Sequence, residues 1–197
     1  MKYTKDGALL AVATSSGQIY VHDVADHYSL KTTTKKLEGS SITNVDFSTT
    51  KEVLQATTSS KDLLFFHAGD GRQMEAKSKT KDLVFETQTC PAGWNVQAIW
   101  PQGRPELEPV STDRCTPALV EGQSQLGPLL AVGYKTGQVE VFRYPCQNQG
   151  ARSVSAAGHS TVAGRVRFNA DGTALISIGW DSRVVLQHAV FSLFPSM

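Results

Sequence analysis

The chain has 197 residues, of which 40% are hydrophobic and 19% are charged, and its 19 basic and 18 acidic side chains leave a formal net charge of +1. This composition is typical of a folded globular protein, and so small a net charge provides no general attraction for nucleic acid or for a membrane. There is no run of about 18 apolar residues, so we expect a soluble intracellular protein without a membrane span. Three irregularly spaced cysteines predict reduced thiols rather than a disulfide framework.

A pattern of strand, tight turn and strand occurs four times along the chain. Residues 9–22 form an apolar run, a turn at Gly17 and an alternating strand, and residues 129–142 repeat this pattern closely. Weaker copies run over residues 53–67 and 174–188. Alternation of apolar and polar residues between glycine-containing turns predicts strands throughout, and no helical period competes with it.

The spacing of the copies predicts a β-propeller. The copies end at residues 22, 67, 142 and 188, close to the period of about 40–50 residues of a propeller blade except once. We therefore predict an all-β chain of about four blades, with units at about residues 1–38, 39–82, 83–153 and 154–197. An inserted loop at about residues 101–127, rich in Pro, Gly and Glu, explains the longer third unit. Because such rings usually contain more blades, we expect roughly half a ring.

The fourth unit resembles a WD repeat. It contains Gly158-His159, then Asp171-Gly172, then Gly179-Trp180-Asp181. The resemblance implies that His159, Ser177 and Asp181 form the structural hydrogen-bonding positions of that repeat. The tryptophan that completes the set in the family is replaced here by His188.

A second resemblance covers nearly the whole chain. Residues 85–103 contain a Thr-Cys pair, a Gly-aromatic step and an Ile-Trp pair, and residues 141–146 end in Tyr-Pro-Cys. These segments resemble the echinoderm microtubule-associated protein-like family, in the C-terminal part of its second propeller. The resemblance implies a cytoplasmic, cytoskeletal protein that binds tubulin or microtubules and organises them. The alternative is a propeller that binds other proteins in a ciliary or signalling assembly and has no affinity for tubulin.

Two clusters of lysines are the candidate contacts for an acidic partner. A solvated surface is the ordinary interpretation of such clusters, while a patch for tubulin is the functional one. The inserted loop is a further candidate contact surface or a spacer. The clusters consist of Lys31, Lys35, Lys36, Lys77, Lys79 and Lys81.

The sequence contains no pattern typical of an enzyme. No phosphate-binding glycine loop or nucleophile elbow is present, and no cysteine has a recognisable base beside it. Three of the five histidines repeat at one blade position, which separates them by a blade width and prevents them from sharing a metal ion. We therefore predict no catalytic residue, no metal and no cofactor.

Overall fold

The computed structural model describes residues 1–75, 80–118, 127–156, 158–180 and 185–193. These residues form four antiparallel sheets. The chain divides into two compact units, Met1–Ala92 with sheets 1 and 2, and Gly93–Met197 with sheets 3 and 4. The prediction of an all-β chain with about four blades is thereby confirmed.

The strands of each sheet are consecutive in the chain. Sheet 1 contains β1 (Lys2–Tyr3), β2 (Leu9–Ala13), β3 (Ile19–Asp23) and β4 (Ser29–Thr33). Sheet 2 contains β5 (Ile42–Phe47), β6 (Val53–Thr58) and β7 (Leu63–His67). Sheet 3 contains β8 (Pro109–Cys115), β9 (Leu129–Tyr134), β10 (Val139–Arg143) and β11 (Ser153–Ala156). Sheet 4 contains β12 (Ala163–Phe168), β13 (Ala174–Gly179) and β14 (Val185–Ala189), and short 3₁₀ helices occur at Trp94–Ile99 and Val190–Leu193.

Alternation along the strands produces the core of the first unit. Ala11 pairs with Val21 across β2 and β3, so both side chains lie on the same face of sheet 1. That face packs against Phe47 and Leu54 of sheet 2, and all four residues are at most 1% exposed. Burying a side chain such as Leu54 contributes about 1.5–3 kcal/mol to the stability of the unit.

The second unit is built in the same way. Ala131 and Val141 pair across β9 and β10, and they pack against Val166 and Leu175 of sheet 4. The turn between β9 and β10 contains Gly137 at a φ of 92°, where an added Cβ would lie 2.1 Å from the carbonyl oxygen of His159. Only glycine fits a left-handed turn with a neighbouring backbone this close.

A buried carboxylate attaches the segment after sheet 2 to β5. Asp46 is 0% exposed. Its oxygens accept hydrogen bonds from the amide and hydroxyl of Thr89, at 2.9 and 2.8 Å, and from the Cys90 amide at 2.9 Å. The Thr87 hydroxyl and the Gln55 side-chain amide also donate to it. Five donor groups therefore converge on one carboxylate, which anchors residues 87–90.

The hydrogen bonds at Asp46 determine its ionisation. Burial by itself raises the pKa of the carboxyl, but the hydrogen bonds from Thr87, Cys90 and Thr89 outweigh that effect and hold the pKa below its ordinary value. Asp113 lies at the equivalent position of β8, opposite Ala131 as Asp46 lies opposite Gln55. It accepts the Phe168 amide at 2.8 Å. A carboxylate at this register thus binds the adjacent backbone in both units.

One boundary prediction is wrong. The interval predicted as an inserted loop, residues 101–127, contains the strand Pro109–Cys115, which pairs with β9 along its length. Proline starts this strand at a β-bulge, where no ladder hydrogen bond is needed from its nitrogen. Most of the additional residues of the third unit precede β8, and the others lie between β8 and β9, where residues 119–126 are outside the described part of the chain. In the stretch before β8, Val96, Ile99 and Leu107 pack against sheet 3.

Candidate binding surface

The first lysine cluster begins on β4, the outer strand of sheet 1. Lys31 lies in β4, and Lys35 and Lys36 lie just after it, all three exposed. The ammonium group of Lys36 is 3.9 Å from the carboxylate of Glu38. Since this pair is exposed, it holds the lysine only weakly.

The second lysine cluster is described only in part. Lys81 is exposed, whereas Lys77 and Lys79 lie outside the described residues. The structure therefore places four of the six candidate lysines at the surface.

A groove of about 600 Å³ opens beside Lys31 in the first unit. Its apolar lining comes from both sheets and from the segment that follows them. Leu9 and Val53 are buried, while Met74 and Leu83 are partly exposed. A volume in the range of about 300–1,000 Å³ is typical of ligand sites in proteins.

Charged side chains surround this apolar lining. Lys51 pairs with Asp6, and the Arg72 guanidinium nitrogen lies 2.7 Å from an oxygen of Asp70. Hydrogen bonding from Lys51 lowers the pKa of Asp6 to about 2. The Arg72 backbone amide and side chain lower the pKa of Asp70. Both carboxylates are therefore ionised at neutral pH, so that both partners of each ion pair are charged.

The position of β4 beside the groove is fixed by a glycine turn. Gly71 has a φ of 71°, and an added Cβ would lie 2.3 Å from the carbonyl oxygen of Thr33. The turn after β7 therefore packs directly on the backbone of β4. This contact holds Lys31 and Arg72 on the same groove without any side chain between the two backbones.

Two of the WD-type positions, His159 and Ser177, are joined by a hydrogen bond. His159 Nε2 lies 2.9 Å from the Ser177 hydroxyl, and both residues are buried. This hydrogen bond joins the loop before β12 to β13. Asp181 lies outside the described residues. His188 lies on β14, and burial, with His159 nearby, lowers its pKa.

The described parts of the chain contain no group of three or more His, Cys, Asp or Glu side chains that could hold a metal ion. The thiols of Cys90, Cys115 and Cys146 are unpaired with one another, and burial raises the pKa of each. Such thiols are poor nucleophiles at neutral pH. None of the described helices is long and apolar enough to cross a membrane.

The sequence of the chain matches the model of one protein family. The model of the second β-propeller of echinoderm microtubule-associated proteins matches residues 1–190. The chain belongs to this family. The resemblance found in residues 85–103 and 141–146 is confirmed, and so is the prediction of a propeller segment.

The relatives are considerably longer than this chain. The 77 kDa echinoderm microtubule-associated protein of Strongylocentrotus purpuratus is 32% identical over 192 residues, which cover 96% of this chain and 27% of the relative. Human echinoderm microtubule-associated protein-like 1 is 28% identical over 192 residues, covering 96% of this chain and 22% of the relative. The chain thus spans about a quarter of the length of these relatives.

Among solved structures, the computationally designed protein Ika4 aligns over 95% of this chain and 87% of its own, with a TM-score of 0.42 and 12% identity. The assignment to the echinoderm microtubule-associated protein family rests on the sequence match and on the four sheets.

Sequence reasoning missed most of the groove in this echinoderm microtubule-associated protein propeller. It selected Lys31 because three lysines lie close together in the sequence. Lys51, His67 and Arg72 line the same groove but are isolated from one another along the chain. Lys51 and Arg72 lie in the turns after β5 and β7, and His67 ends β7. These positions at one end of sheet 2 were the available signal, since antiparallel strands bring alternate turns to the same end of a sheet.

Proposed function

We propose that this chain is a non-enzymatic scaffold that binds tubulin and takes part in microtubule organisation. The observation that supports it most is the match of residues 1–190 to the second propeller of echinoderm microtubule-associated proteins. The relatives from Strongylocentrotus purpuratus and human are also named as microtubule-associated proteins. On this proposal the chain works in the cytoplasm, on the cytoskeleton.

The lysine clusters are the proposed contacts for tubulin. Lys31 and Lys35 are exposed, and no ion pair is recorded for either within the described residues. Lys36 has only an exposed partner, and Lys77, Lys79 and Lys81 form the second part of the proposed patch. Exposed charges of this kind increase the association rate with an oppositely charged partner more than they increase affinity.

Two binding experiments test the proposal. The purified chain is first shown to be folded by circular dichroism and by a cooperative thermal transition. It is then sedimented with polymerised microtubules and, separately, run with free tubulin on size-exclusion chromatography, each at low and high salt. We expect the chain to bind at least one form, and binding to weaken as salt screens the lysines.

A binding failure has a definite meaning in this design. A folded chain that binds neither microtubules nor free tubulin at low salt contradicts the proposed function. If the chain binds tubulin equally well at low and high salt, tubulin is still the partner, but the lysine clusters are not the contact.

A further inference from the structure

The groove in the first unit combines an apolar lining with cations from three separate segments. Leu9 and Val53 form buried apolar wall, and Met74 adds a flexible side chain that adapts to different ligand shapes. Lys31 comes from β4, Lys51 from the turn before β6 and Arg72 from the turn after β7.

These cations can exchange their present partners for a ligand. The Lys51–Asp6 and Arg72–Asp70 pairs are both exposed, with the Arg72 side chain 81% accessible. Exposed ion pairs contribute little to the free energy of folding. A carboxylate of a ligand can therefore displace Asp6 or Asp70 from these cations at a small cost in free energy. Lys31 has no recorded ion pair among the described residues and is available at once.

We propose that this groove binds an extended acidic segment of a protein partner, with an apolar side chain against Val53 and Met74 and carboxylates on Lys31, Lys51 and Arg72. The inference rests on the proposed function, in which the partner is tubulin, and it names the kind of segment recognised. A simple inorganic anion would leave the apolar lining in water, whereas a peptide with both chemistries covers it.

Two acidic residues line the groove, Asp70, which pairs with Arg72, and the exposed Glu52. Glu52 provides a test of the sign of the ligand charge. Its carboxylate repels an acidic ligand, so Glu52→Gln is expected to tighten binding about twofold, while Lys31→Glu weakens it about fivefold. Lys61→Glu is the matched control, because it makes the same charge change at an exposed position between β6 and β7, outside the groove lining and outside both lysine clusters.

The experiment measures fluorescence anisotropy of a labelled peptide in which glutamates alternate with leucine, added to the full chain. An all-glutamate peptide and a lysine–leucine peptide are compared with it. We expect the glutamate–leucine peptide to bind most tightly. Met74→Gln is expected to weaken the binding of that peptide several-fold and to leave the binding of the all-glutamate peptide unchanged.

Each outcome separates the groove from the proposed function. Equal weakening by Lys31→Glu and Lys61→Glu overturns the proposal that the groove binds an acidic segment and leaves the proposed function standing. The same conclusion follows if a chain that binds tubulin does not bind the peptide. If the chain binds the peptide with the expected variant pattern but does not bind tubulin, the proposal that the groove binds an acidic segment is supported and the proposed function is overturned.

Discussion

Replacing Asp46 by asparagine tests how the segment after sheet 2 is attached. Asn has nearly the same shape but presents an amide nitrogen where one carboxylate oxygen was. If that nitrogen takes the place of Oδ2, it faces the side-chain amide of Gln55 and the backbone amide of Cys90, both of which donate to Asp46. Each buried donor left without an acceptor costs about 1–3 kcal/mol, so we expect a loss of about 2–6 kcal/mol in the free energy of unfolding.

The assay is urea denaturation of the wild type and of Asp46→Asn, with Asp70→Asn as the control. Asp70 is exposed, so the same change there is expected to cost less than about 1 kcal/mol. Reagent labelling of thiols, located by mass spectrometry, reports on the segment itself. Cys90 is 0% exposed and is expected to label faster in Asp46→Asn, while Cys146 in the second unit labels as in the wild type.

The effect of pH has a definite sign. Because folding lowers the pKa of Asp46, its ionised form stabilises the protein above the unfolded pKa of about 3.9 and loses that contribution as the pH falls through the folded pKa. The difference between wild type and Asp46→Asn should therefore narrow in acid. Equal urea midpoints at neutral pH, with Cys90 as protected as before, would refute the assigned role of Asp46.

Two further substitutions test the second unit. Gly137→Ala is expected to cost about 2 kcal/mol or more, because its Cβ would meet the carbonyl oxygen of His159 at a positive φ. Gly150→Ala has open space around its Cβ and should leave the melting temperature nearly unchanged, and equal melting of both variants would contradict this explanation. Ser177→Ala removes the buried hydrogen bond to His159 and is expected to cost about 1–3 kcal/mol in urea denaturation. Ser153→Ala, at an exposed position, is expected to cost less than about 0.5 kcal/mol, and a midpoint for Ser177→Ala equal to that of this control would show that the hydrogen bond is unimportant.

The strands that repeat in the sequence were predictable because they alternate between buried and exposed faces. The two closely matching segments, residues 9–22 and 129–142, contain β2 and β9 and all but the last residue of β3 and β10. β8 was not recognised because it contains Pro109 and Asp113, residue types that are depleted in strands. The charge of Asp113 is accommodated there because its carboxylate accepts a hydrogen bond from the Phe168 amide of sheet 4. The Arg114 guanidinium lies 4.9 Å from the centre of the Tyr144 ring.

The contacts that depend on distant residues could not be predicted from local patterns. Asp46 looks like an ordinary polar position of a strand, and the Cys90 amide that it binds lies 44 residues away. The groove likewise joins Lys31 to Lys51 and Arg72 only after sheets 1 and 2 have packed. Sequence patterns report local periodicity, whereas these sites arise from tertiary packing.

The most direct test of the proposed function is the affinity of the folded chain for tubulin at low and high salt, for the wild type and for the triple variant Lys31→Glu, Lys35→Glu, Lys36→Glu. We predict that the wild type binds and that the triple variant binds more weakly, with a shallower dependence on salt. A wild-type chain that is folded and has no affinity for tubulin would contradict the proposal.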